Sequence, residues 1–287
     1  MKCIFSVLFT IAALAGFQTQ APGGSVLGTA DSFAVLGGST VTNTGATTID
    51  GDLGVYPGTA ITGTGSIALT GALHAGDAVA LQAQSDVTTA FNGLANMPSS
   101  SNLTGQDLGG LTLASGVYHF DTSALLTGTL TLDAQHDNNA YWVFQIGSTL
   151  TTASASVVKI INVGSNGGSD DGLFWQIGSS ATLGAATVFE GNILASSSIT
   201  LVTAATIDNG RALAQTAAVT MDSNTITIAS PPPNNGLGLN GGLKFDGNGD
   251  IVPIGPTAVP EPATFVLFGS GLVGLLAFRK GEKEGTR

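Results

Sequence analysis

Four threonines in the second half of the chain follow or lie between apolar residues. They occur in Leu150-Thr151, Ala181-Thr182, Ile199-Thr200-Leu201 and Val219-Thr220-Met221. Side chains alternate along a strand, so we expect the apolar neighbours to point inward and the threonines outward. Hydroxyls on strands stacked ~4.7–4.9 Å apart can anchor waters, and the methyl groups constrain the waters between them. A plain solvated strand face is the alternative, because threonine is a good β-former.

Residue types that catalyse reactions or hold metals are sparse. Between residues 22 and 230 the acids are scattered and nearly all Asp, with Glu190 the sole Glu. Parallel β-helix lyases and hydrolases need clustered acids or an activating base. His74, His119 and His136 have no metal-ligand spacing, and we interpret His119 and Arg211 as structural. The sequence therefore predicts no enzyme, no catalytic residue, no metal site and no cofactor.

One short motif has oxygen-ligand spacing. Asp246-Gly247-Asn248-Gly249-Asp250 resembles the opening of a calcium loop. Ile251 stands where glycine is needed, and Thr257 where an acid is needed. A flexible polar linker is the favoured interpretation, with calcium stiffening as a hypothesis.

The charge distribution excludes one class of partner. The formal net charge is −11, yet only 9% of residues are charged. Lys159 and Arg211 are the only basic residues between positions 22 and 230. Nucleic-acid binding requires a basic surface, so we expect no nucleic-acid partner and no strong adhesion to anionic lipid.

The elements expected to position the threonines are short strands and one helix. Spacing of Leu81, Val87, Phe91 and Leu94 predicts a helix from about His74 to Met97. Elsewhere Thr- and Val-rich stretches alternate with Gly or Ser. Phe144-Gln145-Ile146-Gly147-Ser148 returns 31 residues later as Trp175-Gln176-Ile177-Gly178-Ser179. This repeat, with threonine offsets of 18 and 20, favours an irregular right-handed β-helix with the helix packed along it; a β-sandwich is the alternative.

Both ends of the chain indicate export. Residues 1–21 read as a signal peptide, which contains the only cysteine, Cys3, so the mature chain has no disulfide. We divide the remainder into a solenoid body at 24–230, a Pro/Gly-rich linker at 231–258 and a terminal segment at 259–287. Residues 263–278 carry no charge and are predicted to be a transmembrane helix, with the body outside and the basic residues cytoplasmic.

This C-terminus resembles the PEP-CTERM sorting signal of Gram-negative bacteria. The resemblance rests on Pro260, Glu261 and Pro262, the hydrophobic segment, and Arg279 with Lys280. It implies an exosortase-type processing enzyme as partner, a membrane contact through the C-terminal segment before processing, and a final location at the cell envelope, outer surface or outside the cell.

The body resembles the microbial ice-binding protein family, an irregular β-solenoid with a long helix. The stretches that carry the resemblance are Leu36-Gly37, Thr44-Gly45, Gly51-Asp52-Leu53-Gly54-Val55, Phe91-Asn92-Gly93-Leu94, Ser115-Gly116-Val117-Tyr118, Leu130-Thr131-Leu132-Asp133-Ala134, Trp142-Val143-Phe144-Gln145-Ile146-Gly147, Asn209-Gly210-Arg211-Ala212-Leu213 and Val219-Thr220-Met221-Asp222-Ser223-Asn224. The resemblance implies binding of ice or ordered water through a flat, Thr-rich face.

We predict which threonines form that face. They are Thr151, Thr182, Thr200 and Thr220, with Thr203 and Thr206 beside them. The acidic stretch 166–172 departs from the family pattern and is expected near a face edge. The alternative function is a non-enzymatic surface adhesin or biofilm matrix protein that binds exopolysaccharide.

Overall fold

A computed structural model describes residues 25–228 and 239–255 of the chain. Its main body is a β-solenoid of short parallel strands, as the sequence predicts. In chain order the strands are β1 (Phe33–Gly37), β2 (Thr40–Thr44), β3 (Thr47–Asp50), β4 (Asp52–Val55), β5 (Ala60–Thr62), β6 (Ile67–Leu69), β7 (Leu73–Ala75), β8 (Ser101–Asn102), β9 (Thr112–Ala114), β10 (Gly116–Phe120), β11 (Ala124–Leu126), β12 (Thr129–Asp133), β13 (Tyr141–Ile146), β14 (Leu150–Thr152), β15 (Val157–Ile161), β16 (Gly172–Ile177), β17 (Ala181–Leu183), β18 (Val188–Ala195), β19 (Ile199–Leu201), β20 (Thr206–Ala214), β21 (Val219–Asp222), β22 (Thr225–Thr227), β23 (Leu243–Phe245) and β24 (Ile251–Pro253). The helix α1 spans Ala78–Asn96 between β7 and β8, and two short 3-10 helices span Gly28–Ser32 and Thr64–Ser66.

Each coil of the solenoid contributes to three faces. The threonine face is the seven-stranded sheet β11-β14-β17-β19-β21-β2-β5. The helix side, covered by α1, is the row β7-β4-β1-β20-β18-β16-β13-β10-β8. The third face contains β9, β12, β15, β22, β3 and β6. The long strands β18 and β20 turn the corner between the third face and the helix side, with register shifts in β18 between Glu190 and Asn192.

The sequence repeat corresponds to neighbouring coils. Phe144 pairs with Trp175 and Gln145 with Gln176 where β13 lies beside β16. The rings of Phe144 and Trp175 stack at 4.1 Å, and both side chains are fully buried. Stacked inward residues of this kind form a continuous core along the solenoid, which suits a chain without disulfides.

The coils are not stacked in chain order. The N-terminal strand β1 pairs with β20 through Val35↔Ala212 and Leu36↔Leu213. The first coils therefore extend the stack beyond the last one, and α1 returns the chain to the opposite end. From β7 to β8 there are eight strand-to-strand steps, or about 38 Å. The 19 residues of α1 cover about 28 Å of this distance, and the short segments on either side of α1 cover the rest.

The helix begins later than the sequence predicts. His74 belongs to β7, which pairs with β4, and the Asp77 side chain accepts a hydrogen bond from the Ala80 backbone N–H at 2.9 Å as the N-cap, an arrangement typical of helix starts. The buried side of α1 comprises Ala80, Ala83, Gln84, Val87, Ala90 and Leu94. Leu81, expected on that side, is 46% exposed.

Residues 239–254, which we call the C-terminal strap, differ from the expected linker. The strands β23 and β24 pair as an antiparallel hairpin, and Leu243 and Ile251 are buried in the cluster that includes α1. The turn of this hairpin is the calcium-like motif, in which the Asp246 carboxylate accepts the backbone N–H groups of Asn248 and Asp250. Apolar side chains every few residues are enough to dock a Gly-rich segment against a preformed surface.

The predicted terminal hydrophobic helices lie outside the described residues. These are the signal peptide 1–21 and the transmembrane segment 263–278, and the whole of the predicted sorting segment 259–287 likewise lies outside them. Within 25–228 and 239–255, the structure contains no helix with the length and apolar character needed to cross a membrane.

Candidate functional site

One row of outward side chains runs the length of the threonine face. Strand pairing places these residues in direct register on successive strands: Leu125, Thr151, Thr182, Thr200, Thr220, Thr42 and Thr62. The row holds six threonines in succession, and Leu125 ends it with 53% of its surface exposed. Four of the predicted threonines, Thr151, Thr182, Thr200 and Thr220, thus stand side by side.

A second row of small residues flanks the first. Its members stand two positions before those of the first row, either at the start of the strand or just ahead of it: Ser123, Thr149, Ser180, Ser198, Ala218, Thr40 and Ala60. Neighbouring hydroxyls in this row hydrogen-bond to one another, Thr149 to Ser123 at 2.8 Å and Ser198 to Ser180 at 3.0 Å. No member of either row is charged.

The residues on each side of the threonines point into the core, as predicted. In β14, β17, β19 and β21 a buried residue stands before and after the more exposed threonine. Buried Thr152 is satisfied by Thr187, with the two Oγ1 atoms 2.8 Å apart. A close-packed interior has low compressibility, and the β-branched threonines have restricted χ1 angles, which favours a rigid face.

Charged residues concentrate on the third face instead. Glu190 pairs with Asp208 across β18 and β20, and Lys159 lies exposed on β15. Burial and the adjacent Asp208 raise the pKa of Glu190 to about 7. Burial also raises the pKa of Asp208. The two surfaces therefore differ in chemistry although both are built from parallel strands.

The remaining two predicted threonines lie outside the row. Thr203 is in the turn after β19 and hydrogen-bonds to the Asp222 carboxylate at the rim of the threonine face. Thr206 begins β20 on the third face, where it pairs with Val188 and Thr225. Thr206 is not beside Thr200, because the chain turns the corner at residues 202–205 between them.

Sequence reasoning did not select Thr42 or Thr62 for the face. The alternation in Thr40-Val41-Thr42 was a usable signal for an outward threonine. The place of Thr42 in the row could not be predicted from local spacing, because β2 pairs with β21, which is about 180 residues later in the chain, with Thr42 beside Thr220.

The acidic stretch 166–172 also lies elsewhere than expected. It connects β15 to β16, at the corner between the third face and the helix side, away from the threonine face. Asp171 is fully buried, and its Oδ1 accepts the Ala140 backbone N–H at 3.1 Å. Burial, with neighbouring Asp137 and Asp170, raises the pKa of Asp171 to about 6. This stretch therefore does not limit the flat surface.

The side chains of Arg211 and His119 take part in hydrogen bonds. Arg211 is buried and donates to the Asp31 carbonyl oxygen at 2.7 Å and to Asn192 Oδ1 at 2.7 Å. His119 contacts Gln145 and Asp121. Among the residues that the structure describes, no three His, Cys, Asp or Glu side chains are grouped so as to hold a metal ion.

Comparison with known proteins identifies the body. The model of the ice-binding-like family matches residues 35–227, which include every strand of the threonine face. The chain belongs to the ice-binding-like family. Members of this family are ice-binding proteins and not enzymes. A second model, the PEP-CTERM protein-sorting motif, matches residues 258–280 and includes Pro260, Glu261, Pro262, Arg279 and Lys280.

Individual relatives agree with this assignment. An ice-binding protein of Nostoc sp. (strain HG1) is 48% identical over 285 residues, which cover 98% of this chain and 97% of the relative. An ice-binding protein of Flavobacterium frigoris (strain PS1) is 33% identical over 216 residues, 70% of this chain and 75% of the relative. The crystal structure of the ice-binding protein from Antarctomyces psychrotrophicus superposes with a TM-score of 0.67 at 40% identity, over 72% of this chain and 100% of that one.

Proposed function

We propose that the protein binds ice through the threonine face. The observation that carries this proposal is the row of six threonines in register on adjacent strands, from Thr151 to Thr62. The ligand is taken from the names of its relatives, which are ice-binding proteins, and the binding surface from the two uncharged rows of the threonine face.

The geometry suits an ordered layer of water better than a compact solute. Hydroxyl groups recur ~4.7–4.9 Å apart along the row, and the second row lies ~6.6 Å away along the strands. Each hydroxyl can hold a water by a hydrogen bond, while the adjacent methyl groups restrict the waters between them. Because the array is regular and rigid, the held waters form a regular layer that can join an ice lattice.

The sorting motif supports export. We infer that residues 1–21 are removed, that an exosortase-type enzyme processes the motif around Pro260, Glu261 and Pro262, and that the body acts at the cell surface or outside the cell. The residues expected to contact ice are Thr151, Thr182, Thr200 and Thr220, joined by Thr42 and Thr62, with Thr203 at the rim. Thr206, on the third face, is expected to contribute nothing.

The test compares one bulky substitution on the threonine face with one on the third face of the purified protein. Thr200 is the central position of the row, so Thr200→Tyr should abolish ice-crystal shaping and most thermal hysteresis. Thr48 is an exposed threonine in the middle of a parallel strand on the third face, and Thr48→Tyr should retain both. Circular dichroism of all three proteins establishes that they are folded.

Either of two results would contradict the proposal. Equal activity of the Thr200→Tyr variant and the parent would exclude this face. A folded parent that does not shape ice would favour the adhesin alternative, for which binding to exopolysaccharide that is insensitive to Thr200→Tyr is the positive result.

A further inference from the structure

The C-terminal strap fixes where the chain leaves the body. Three corners separate the three faces of the solenoid, and we call the corner between the third face and the helix side the rear corner. It contains the connection 162–171 between β15 and β16 and the bends in β18 and β20. In a three-sided solenoid this corner lies opposite the threonine face.

The strap is hydrogen-bonded to the rear corner over successive residues. The Leu239 carbonyl oxygen accepts the Leu173 backbone N–H at 2.8 Å and Asn192 Nδ2 at 2.9 Å. Asn240 forms an antiparallel bridge with Gly172. The Gly241 backbone N–H donates to the Asp171 carbonyl oxygen at 3.0 Å.

Asn240 also connects the strap to the N-terminal part of the body. Its Nδ2 donates to Asp31 Oδ1 at 2.7 Å, and the backbone carbonyl of Asp31 accepts two hydrogen bonds from buried Arg211. These hydrogen bonds hold the strap in one position, because displacing it would leave buried groups such as Asn192 with fewer partners.

The end of the strap returns to the same corner. After the hairpin packs on α1, with Ile251 against Gly93, the Ile254 backbone N–H donates to the Gly242 carbonyl oxygen at 2.8 Å. Gly242 lies against Ala140 at the start of β13, again at the rear corner. The described chain therefore ends at Gly255 on the side opposite the threonine face.

The sorting motif follows closely. It begins at residue 258, three residues after Gly255, which corresponds to at most about 11 Å of extended chain. To reach the threonine face from the rear corner, the chain would have to pass along the helix side or the third face. Strand β16 on the helix side has six residues and β15 on the third face has five, which correspond to about 20 Å and about 16 Å. The tether is too short for either path.

We propose that the strap orients the attached protein, so that the rear corner faces the envelope and the threonine face points away from it. The partner at the rear corner is the surface that holds the sorting segment, and the partner at the threonine face is ice. The significance of the outward face rests on the proposed function, whereas the orientation itself does not.

Cysteine accessibility on intact cells tests the orientation. The full chain is expressed in a bacterium with a PEP-CTERM processing system, with one cysteine introduced at Thr151 or Ser165. Both positions are exposed. Thr151 is in β14 on the threonine face, and Ser165 is in the connection between β15 and β16 at the rear corner. Cys3 lies in the predicted signal peptide, so the processed chain has no other cysteine.

A bulky maleimide-polyethylene glycol should label the two variants differently while the protein is attached. We expect T151C to react on cells at about its rate in the detached protein and S165C to react on the order of tenfold more slowly. A small maleimide should label both. In the double variant N240A/I251A, which loosens the strap, the two rates with the bulky reagent should converge.

Equal rates at the two cysteines on cells would overturn the orientation. The detached parent and the detached S165C protein, both with an intact threonine row, are tested for ice shaping, so a failure of the proposed function appears there and not in the labelling. A protein that shapes ice but labels equally at both positions retains the function and loses this inference.

Discussion

Gln145 Nε2 donates to the Leu94 carbonyl oxygen at 2.8 Å, and to the Met97 carbonyl oxygen at the same distance. A strand of the solenoid thus caps the last turn of α1. The last carbonyl groups of a helix have no partner within the helix, and this helix has no basic residue in its last turn. Gln84 forms the equivalent link earlier in α1, to the carbonyl oxygens of Gly37 and Ala214.

Replacing Gln145 should therefore destabilise the whole fold. The side chain is buried. Gln145→Leu removes its hydrogen bonds to both carbonyl groups and leaves that of Leu94 with a long bond from the Met97 backbone N–H at 3.4 Å, at a cost of about 1–3 kcal/mol in the free energy of unfolding. Urea denaturation followed by circular dichroism measures the change. Gln82, whose side chain donates a hydrogen bond to Asp86 on the exposed side of α1, is the control, and Gln82→Leu should cost less than about 0.5 kcal/mol. Similar losses for both variants would show that the cap contributes little.

Whether a contact of the fold could be predicted from the sequence depends on the sequence separation of the residues that make it. The repeat of Phe144 and Trp175, and the offsets among Thr182, Thr200 and Thr220, lie between consecutive coils, so a periodicity in the sequence reports a contact in space. Thr42 adjoins Thr220 through a pairing of chain ends, which no local spacing reveals.

Two corrections have the same physical origin. The Pro/Gly-rich composition after residue 230 predicts a linker, yet Leu243 and Ile251 find a surface on α1 that only the folded body provides. The sequence around His74 is compatible with the start of the predicted helix, but His74 pairs with Gly54 and is therefore in a strand. In each case a long-range contact decides the conformation, and composition carries no information about it.

Stability should fall as the pH rises from about 4 to about 7. Burial raises the pKa of Asp171 from 3.8 to about 6, and burial with Asp208 raises that of Glu190 from 4.5 to about 7. The folded protein therefore retains these protons after the unfolded chain has lost them, so the free energy of unfolding decreases between the two sets of pKa values and is level above them. The decrease should be about 1–3 kcal/mol per group.

Thermal unfolding at a series of pH values measures this dependence. Glu190→Gln should remove the part of the decrease in stability that the parent shows between about pH 4.5 and pH 7. Asp133 serves as the control, because hydrogen bonds from Asn162 and the Gln135 backbone lower its pKa. Asp133→Asn should therefore lower stability by a constant amount across pH 4 to 7 and change its pH dependence only at more acidic pH. A melting temperature that rises from pH 4 to 7 in the parent would contradict the assignment.

Leu125 offers a way to lengthen the threonine row. It stands in register with Thr151 at the end of the row and is 53% exposed. Leu125→Thr should increase thermal hysteresis modestly, since it adds one hydroxyl to six, and should change stability by no more than about 0.5 kcal/mol. Leu73→Thr is the matched control, because Leu73 is 48% exposed but lies on the helix side. An equal gain from both substitutions would mean that surface polarity, and not the row, is responsible.

Thr200 can separate the contribution of the hydroxyl from that of the methyl group. Thr200→Val keeps the branched shape and removes the hydrogen bond to water, whereas Thr200→Ser keeps the hydroxyl and removes the methyl group. If waters are both anchored and confined, each variant should lose part of the thermal hysteresis and neither should lose as much as Thr200→Tyr. Thr225, aligned with Thr206 on the third face, is the control, and Thr225→Val should leave thermal hysteresis unchanged. Full activity of Thr200→Val would instead assign ice binding at this position to shape and methyl packing alone.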